Sequence, residues 1–168
     1  MLLAWSTFAQ SYKLENFDST ERQKQIKDLT EHVESNEMNP GLKKIKSEFA
    51  IDTFKIEHFQ RKFPSLKVNL GTSLAVIKSS CTMYDSLNNK YLGKLKKILK
   101  NKDYDDLIAS QEAWEKYRLT ELKYFERLIN EDFDFEYNFY YEYKQILKMR
   151  LETLFFYYAG FKEFRYRN

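Results

Sequence analysis

Apolar residues return along this chain every three or four positions, over stretches too long to be strands. That spacing places them on one face of a helix. The first such stretch opens at Asp18-Ser19-Thr20-Glu21, a capping side chain with a Glu three residues on. It carries a thin stripe of Ile26, Leu29 and Val33 to about Glu37, and Asn39-Pro40-Gly41 stops it. A second helix is predicted over 42–63, with Ile45, Phe49, Ile56, Phe59 and Phe63 on one face and Pro64 as its end. A third, over about 72–100, holds Leu74, Ile77, Cys81, Tyr84, Asn88, Tyr91, Leu95 and Ile98 in alternating steps of three and four. That is a coiled-coil-like seam. Asn101-Lys102-Asp103 makes a short turn, so the fourth helix should fold back antiparallel. Its stripe is Leu107, Gln111, Trp114, Arg118, Leu122, Phe125 and Ile129. Residues 130–134 break it. The last helix begins between Phe135 and Asn138 and runs to Phe161 or beyond, with Tyr143, Ile146, Leu147, Arg150, Leu154 and Tyr158 facing inward.

The expected fold is therefore all-α, an antiparallel helical bundle built around a long helical hairpin. Composition agrees. Four Gly and two Pro in 168 residues leave little punctuation, so elements are few and long. Aromatic residues reach 17%, which favours strands weakly, but turn clusters at strand spacing are missing. No internal repeat of fixed period occurs.

Charge adds an asymmetry that the net of +3 conceals. Residues 42–102 hold fourteen Lys/Arg against four Asp/Glu, and residues 103–142 hold four against twelve. A basic helix lying against an acidic one accounts for this. A face that steers a charged partner is the functional alternative.

Candidate chemistry is sparse. Cys81 is the single cysteine, so no intramolecular disulfide is available, and His32 and His58 lie far apart. HExxH, CxxC, Walker and GxSxG patterns are missing from the chain. No catalytic, cofactor-binding or metal-ligating residue is assigned, and the expectation is a protein that is not an enzyme. The start, Met1-Leu2-Leu3-Ala4-Trp5-Ser6-Thr7-Phe8-Ala9-Gln10, is apolar, with Thr7 and Ala9 suited to a signal-peptidase cut before Gln10. Residues 1–10 read as a signal-peptide remnant whose start lies upstream. No other stretch approaches the length of a membrane span.

Polar residues interrupt the apolar stripes at Asn88, Gln111, Arg118 and Arg150, with Trp114 between Gln111 and Arg118. A buried guanidinium must meet a carboxylate or several carbonyls. Asp85, Glu115, Glu121 and Glu142 are the available acids. A network that fixes helix register is the plainer reading, and an anion- or partner-binding pocket is the functional one.

The same residues carry a resemblance. Leu107-Ile108-Ala109-Ser110-Gln111-Glu112-Ala113-Trp114-Glu115-Lys116-Tyr117-Arg118 resembles the L-x-x-x-Q-x-x-W-x-x-[YF]-R hallmark of the LprI-like lysozyme-inhibitor family. Leu87-Asn88-Asn89-Lys90-Tyr91 is similar to its L-N-x-x-Y, and Ile146, Arg150 and Leu154 to its closing aliphatic-then-R-x-x-x-L. The three occur in the family's order over about 71–159. The resemblance implies a small helical domain at 71–168 preceded by a helical extension at 11–70. It also implies an exported, periplasmic or secreted interaction protein without a cofactor, whose named activity is inhibition of lysozyme. On that basis Leu87, Asn88, Tyr91, Gln111, Trp114, Tyr117, Arg118, Arg150 and Leu154 form the family motif, with a structural role. The chain departs where members carry cysteines, holding Leu122 and Glu142 in those neighbourhoods, and where an acid usually follows the motif Arg, holding Leu119.

Because lysozymes are commonly basic, the expected contact surface is Asp103, Asp105, Asp106, Glu112 and Glu115, acting by occlusion. The competing reading is an intracellular helical scaffold or adaptor, if Met1 is the true start. A nucleic-acid partner held by Lys94, Lys96, Lys97, Lys100 and Lys102 is disfavoured, because binding would need the basic face free of its acidic neighbour.

Overall fold

The computed structural model describes residues 19–62, 70–128 and 133–167, and the described residues form five helices and no strand. They are α1 (Ser19–Asn36), α2 (Pro40–Lys62), α3 (Leu70–Lys96), α4 (Asn101–Leu128) and α5 (Phe133–Arg167). The fold is all-α, as the periodicity predicts. The signal-like start, Phe63, Pro64, Ile129 and residues 130–132 of the expected break lie outside the described residues. None of the described helices is long and apolar enough to cross a membrane. The chain divides into two compact units, one ending at Phe59 and the other beginning at Gln60.

In the first unit, the sequence Asn39-Pro40-Gly41 does more than end α1. Asn39 caps α2: its Oδ1 accepts from the Gly41 amide at 2.9 Å, and its carbonyl accepts from Leu42 and Lys43. Pro40 then occupies the first helical position, where a missing N–H costs nothing. Glu37 secures the corner, accepting from the Asn39 amide at 2.9 Å and pairing with Lys46. The bond from Lys46, and then that from Asn39, hold the Glu37 carboxyl below its usual range. Leu42, Ile45 and Ile56 are buried along α2, whereas the α1 stripe of Ile26, Leu29 and Val33 is only half-buried.

In the second unit, α3 and α5 make the extensive helix–helix contact, and they run parallel. Cys81 meets Tyr140, Asn88 meets Leu147, and Tyr91 meets Phe155 and Tyr158, so position rises together on both helices. The α3 seam is buried at Leu74, Ile77, Cys81, Tyr84, Asn88, Tyr91 and Leu95. On α5 it meets Phe139, Tyr143, Leu147, Leu151 and Leu154. Each large side chain so buried contributes about 1.5–3 kcal/mol. The seam departs from expectation at its end. Helix α3 stops at Lys96, and the Ile98 and Leu99 amides both turn back to the Leu95 carbonyl, so Leu99 is buried in place of Ile98. Asn101, at φ 52°, then supplies the left-handed residue that redirects the chain into α4.

Helix α4 descends antiparallel to both. Leu107 lies near Leu95 and Leu99, Gln111 bonds Arg150, Arg118 reaches Asp85, and Phe125 stacks on Phe139 at 4.2 Å between centroids. Its stripe faces inward as predicted, but Leu107 is the one residue of α4 that is fully buried. Gln, Trp, Arg and Phe are long side chains, and they hold the α4 axis away from its neighbours.

Candidate functional site

Gln111, Trp114, Glu115 and Arg118 recur on α4 at steps of three and four, so one face presents all of them to α3 and α5. Arg118 is the hub. Its Nη1 donates to Asp85 Oδ1 on α3 at 2.6 Å, and its Nη2 to Glu115 Oε2 at 2.7 Å. Arg150, on α5, donates from Nη2 to Gln111 Oε1 at 2.9 Å, and Gln111 in turn donates to Glu115 Oε1 at 3.1 Å. Trp114 lies against both cations, with the guanidinium carbons of Arg118 and Arg150 at 5.1 and 5.7 Å from its ring. This distance suits attraction to the negative face of the indole.

The two guanidinium groups differ in how their charge is met. Burial opposes the charge on Arg118, but Tyr143, Asp85 and Glu115 outweigh it and hold the group above its usual range. Arg150 has a neutral acceptor in Gln111, and burial pushes it below its usual range against the weaker pull of Tyr157 and Glu115. Both Nε atoms, and Asn88 Oδ1, are buried and bond to no described group. Of the four acids available in sequence, Asp85 and Glu115 are the partners.

Two buried acids lie beside the hub. Burial pushes Tyr143 up to about 12, with Asp85 and Cys81 adding to the rise and Arg118 opposing it. Burial likewise raises the Cys81 thiol to about 12. A thiol held so firmly protonated is a packing group and a weak donor, not a nucleophile.

The family-motif residues fall into three groups. Asn88, Tyr91, Arg150 and Leu154 are buried, Leu87, Gln111, Trp114 and Arg118 are half-buried, and Tyr117 points out at 49% exposure. Gln111, Trp114, Arg118 and Arg150 are brought together. Asn88 is engaged elsewhere, on the Leu147 carbonyl. The polar members of the α4 stripe meet Asp85, one turn before Asn88 on α3, and Arg150 on α5. Sequence reasoning missed Lys144, buried on α5 with its Nζ 4.5 Å from the Tyr141 ring, because a lysine amid polar neighbours gives no signal of burial.

The acidic start of α4 presents Asp103, Asp105, Asp106 and Glu112 to solvent. Glu115 is tied into the Arg118 network instead. The lysines of the same end divide similarly. Lys94 lies over Tyr91 and Tyr158, at 5.1 and 5.3 Å, while Lys96, Lys97, Lys100 and Lys102 are exposed. The ion pair that joins α3 to α4, Asp85 with Arg118, runs opposite in sign to the basic-α3, acidic-α4 asymmetry. Beside this acidic turn, Leu95, Leu99, Asp103, Asp106, Leu107, Ser110, Tyr157 and Phe161 enclose a groove of about 260 Å³. No group of three His, Cys, Asp or Glu among the described residues could hold a metal ion. Compared with protein-family models, curated proteins and solved structures, the chain matches none.

Proposed function

We propose that this chain is an exported, non-enzymatic helical binding protein that docks a basic protein through the start of α4 and blocks it by occlusion, with a lysozyme as the first target to test. The observation that carries the reading is the set of exposed carboxylates Asp103, Asp105, Asp106 and Glu112 in the first turns of one helix, none of them in an ion pair with a described residue. The motif resemblance over 71–159 supports the choice of target. The network around Trp114 supports the scaffold on which that face is displayed, since preorganised surfaces lose less entropy on binding.

The test is inhibition of a basic lysozyme by the purified protein at low salt. Inhibition should weaken as screening shortens the reach of charge to about 8–10 Å. Charge reversal at Asp105, Asp106 and Glu112 should slow association and leave helical content intact. The same reversal at Lys96, Lys97, Lys100 and Lys102 should leave inhibition no weaker. Unchanged lysozyme activity at low salt rules that target out.

One observation favours an adaptor as the second reading. Tyr117, Tyr124 and Leu128 form an exposed stripe on the outer face of α4, which suits a helical partner. Fusing residues 1–25, with any upstream extension of the gene, to a reporter separates the two: export supports the first, and cytoplasmic retention the second.

A further inference from the structure

We propose that the groove where α3, α4 and α5 meet is an anchor site for a basic amphipathic segment of a partner protein. An apolar side chain of that segment enters between Leu99, Leu107 and Phe161, and a Lys or Arg one helical turn away pairs with Asp103 and Asp106. This rests on reading the start of α4 as a partner face, and it names what that face recognises.

Size and lining both point to a side chain as occupant. A volume of about 260 Å³ lies below the roughly 300–1,000 Å³ of small-molecule pockets. Leu95 of α3, Leu99 of the turn that follows it, Leu107 of α4 and aromatic rings from α5 form its walls, and Asp103, Asp106 and Ser110 are its polar members. The apolar lining continues along α5, where Phe156, Tyr157, Gly160 and Phe161 border a shallow, open surface depression. Phe156 is 74% exposed there, so the strip offers apolar area that water now covers. A strip of this kind, ending in a carboxylate pair, matches an amphipathic helix with a cationic flank.

Charge selects that occupant over an acidic one. Both charged residues of the lining are carboxylates, and no lysine of this end lines the groove. Lys96, Lys97, Lys100 and Lys102 are exposed and adjoin Leu95, Leu99 and Asp103 in the chain, so their charge offsets part of its long-range field. Complementarity is therefore a matter of contact pairing at Asp103 and Asp106.

The experiment uses the full chain and a fluorescein-labelled amphipathic peptide of about fourteen residues made of Leu and Lys, read by anisotropy. A Leu/Glu peptide of the same pattern is the counterpart. Two variants separate the contributions. Asp103→Asn with Asp106→Asn removes the charges, and Ser110→Phe fills the groove while keeping them; all three positions are exposed, and circular dichroism checks the fold. The expected result is saturable one-to-one binding of the Leu/Lys peptide, with affinity lowered about tenfold or more by each variant and by the Glu counterpart. Absence of binding, equal binding by Ser110→Phe, or equal binding of the Leu/Glu peptide overturns the proposal. Peptide binding without lysozyme inhibition upholds the groove and removes lysozyme. Inhibition that survives Ser110→Phe, with the peptide unbound, does the reverse.

Discussion

Asn88 Nδ2 donates to the carbonyl of Leu147 at 3.0 Å, and the chain separation of 59 recurs one heptad earlier, where Cys81 Sγ reaches the carbonyl of Tyr140 at 3.5 Å. Two side chains of α3, seven residues apart, thus hold two backbone oxygens of α5, also seven apart. That repeat fixes the parallel register of the pair. Apolar packing alone specifies it less sharply, since Leu can slide past Leu.

Asn88→Ala should therefore destabilise the protein by about 1–3 kcal/mol, from the lost hydrogen bond and the lost packing of a side chain only 3% exposed. Asn88→Leu should cost less. Urea denaturation of both variants checks this. Equal losses would show that the bond to Leu147 carries the whole effect, and no loss in Asn88→Leu would show that it contributes nothing beyond filled volume.

Trp114 is half-buried, so Trp114→Ala should cost about 2 kcal/mol, short of the 3–5 kcal/mol of a fully buried indole. Around it, Arg150→Met should be nearly neutral, while Gln111→Leu should cost about 2 kcal/mol. The first removes a buried charge together with its need for an acceptor. The second leaves the charge and takes its acceptor Oε1 away. Chemical denaturation of the pair orders them, and the opposite order would contradict a buried, charged Arg150.

The Arg118–Asp85 pair should couple by about 1 kcal/mol in a double-mutant cycle, since its side chains are 17% and 37% exposed and water screens part of the attraction. Asp85→Asn alone should cost no more than that, because Glu115 still holds Nη2. A cost above about 3 kcal/mol would mean that Glu115 does not share the charge.

Alkaline pH should unfold the protein through Cys81 and Tyr143. Both are raised in the fold, Cys81 from 9.0 and Tyr143 from 10.0, each to about 12. Unfolding lets them ionise earlier, so the unfolded chain binds fewer protons between those limits and stability falls as pH rises. Stability from these groups should be whole below pH 9 and decline between about 9 and 12. Denaturation midpoints measured across that window check the slope, and Cys81→Ala should flatten its lower part. At pH 8 a thiol reagent should label Cys81 in urea far faster than in the native protein, because the residue is 6% exposed.

Helices and core were legible where the spacing was unbroken. Leu74 through Leu95 obeys one rule, and every member is buried. Ile98 fails because the last turn closes on the Leu95 carbonyl and rotates Leu99 inward, a choice made by hydrogen bonding after the helix has ended. Asn39 and Pro40 were legible as punctuation, but whether such residues stop one helix or start the next depends on where the amides of residues 41–43 find acceptors. Around Arg118 the sequence offers four carboxylates. Periodicity gives each its face and leaves its height along a neighbouring helix open, so Asp85 becomes distinguishable only once the axes are placed. The parallel closeness of α3 and α5 is hidden for the same reason. Short turns announce antiparallel neighbours, and a pair separated by an entire helix has no local signal.

The bonds from Cys81 and Asn88 also divide mutational tolerance unequally between the two helices they join. Each acceptor belongs to the peptide backbone, so exchanging the side chain at Tyr140 or Leu147 leaves the oxygen where it was. Substitution on α5 alters packing, and at Tyr140 the ring contact with Lys78, but leaves the acceptor in place, whereas on α3 it deletes the donor itself. A library randomising all four positions, sorted for folded protein, should therefore return few residue types at 88, apolar types of similar volume at the buried 147, and the widest range at the half-buried 140. The register of the pair is written in one helix and merely read by the other.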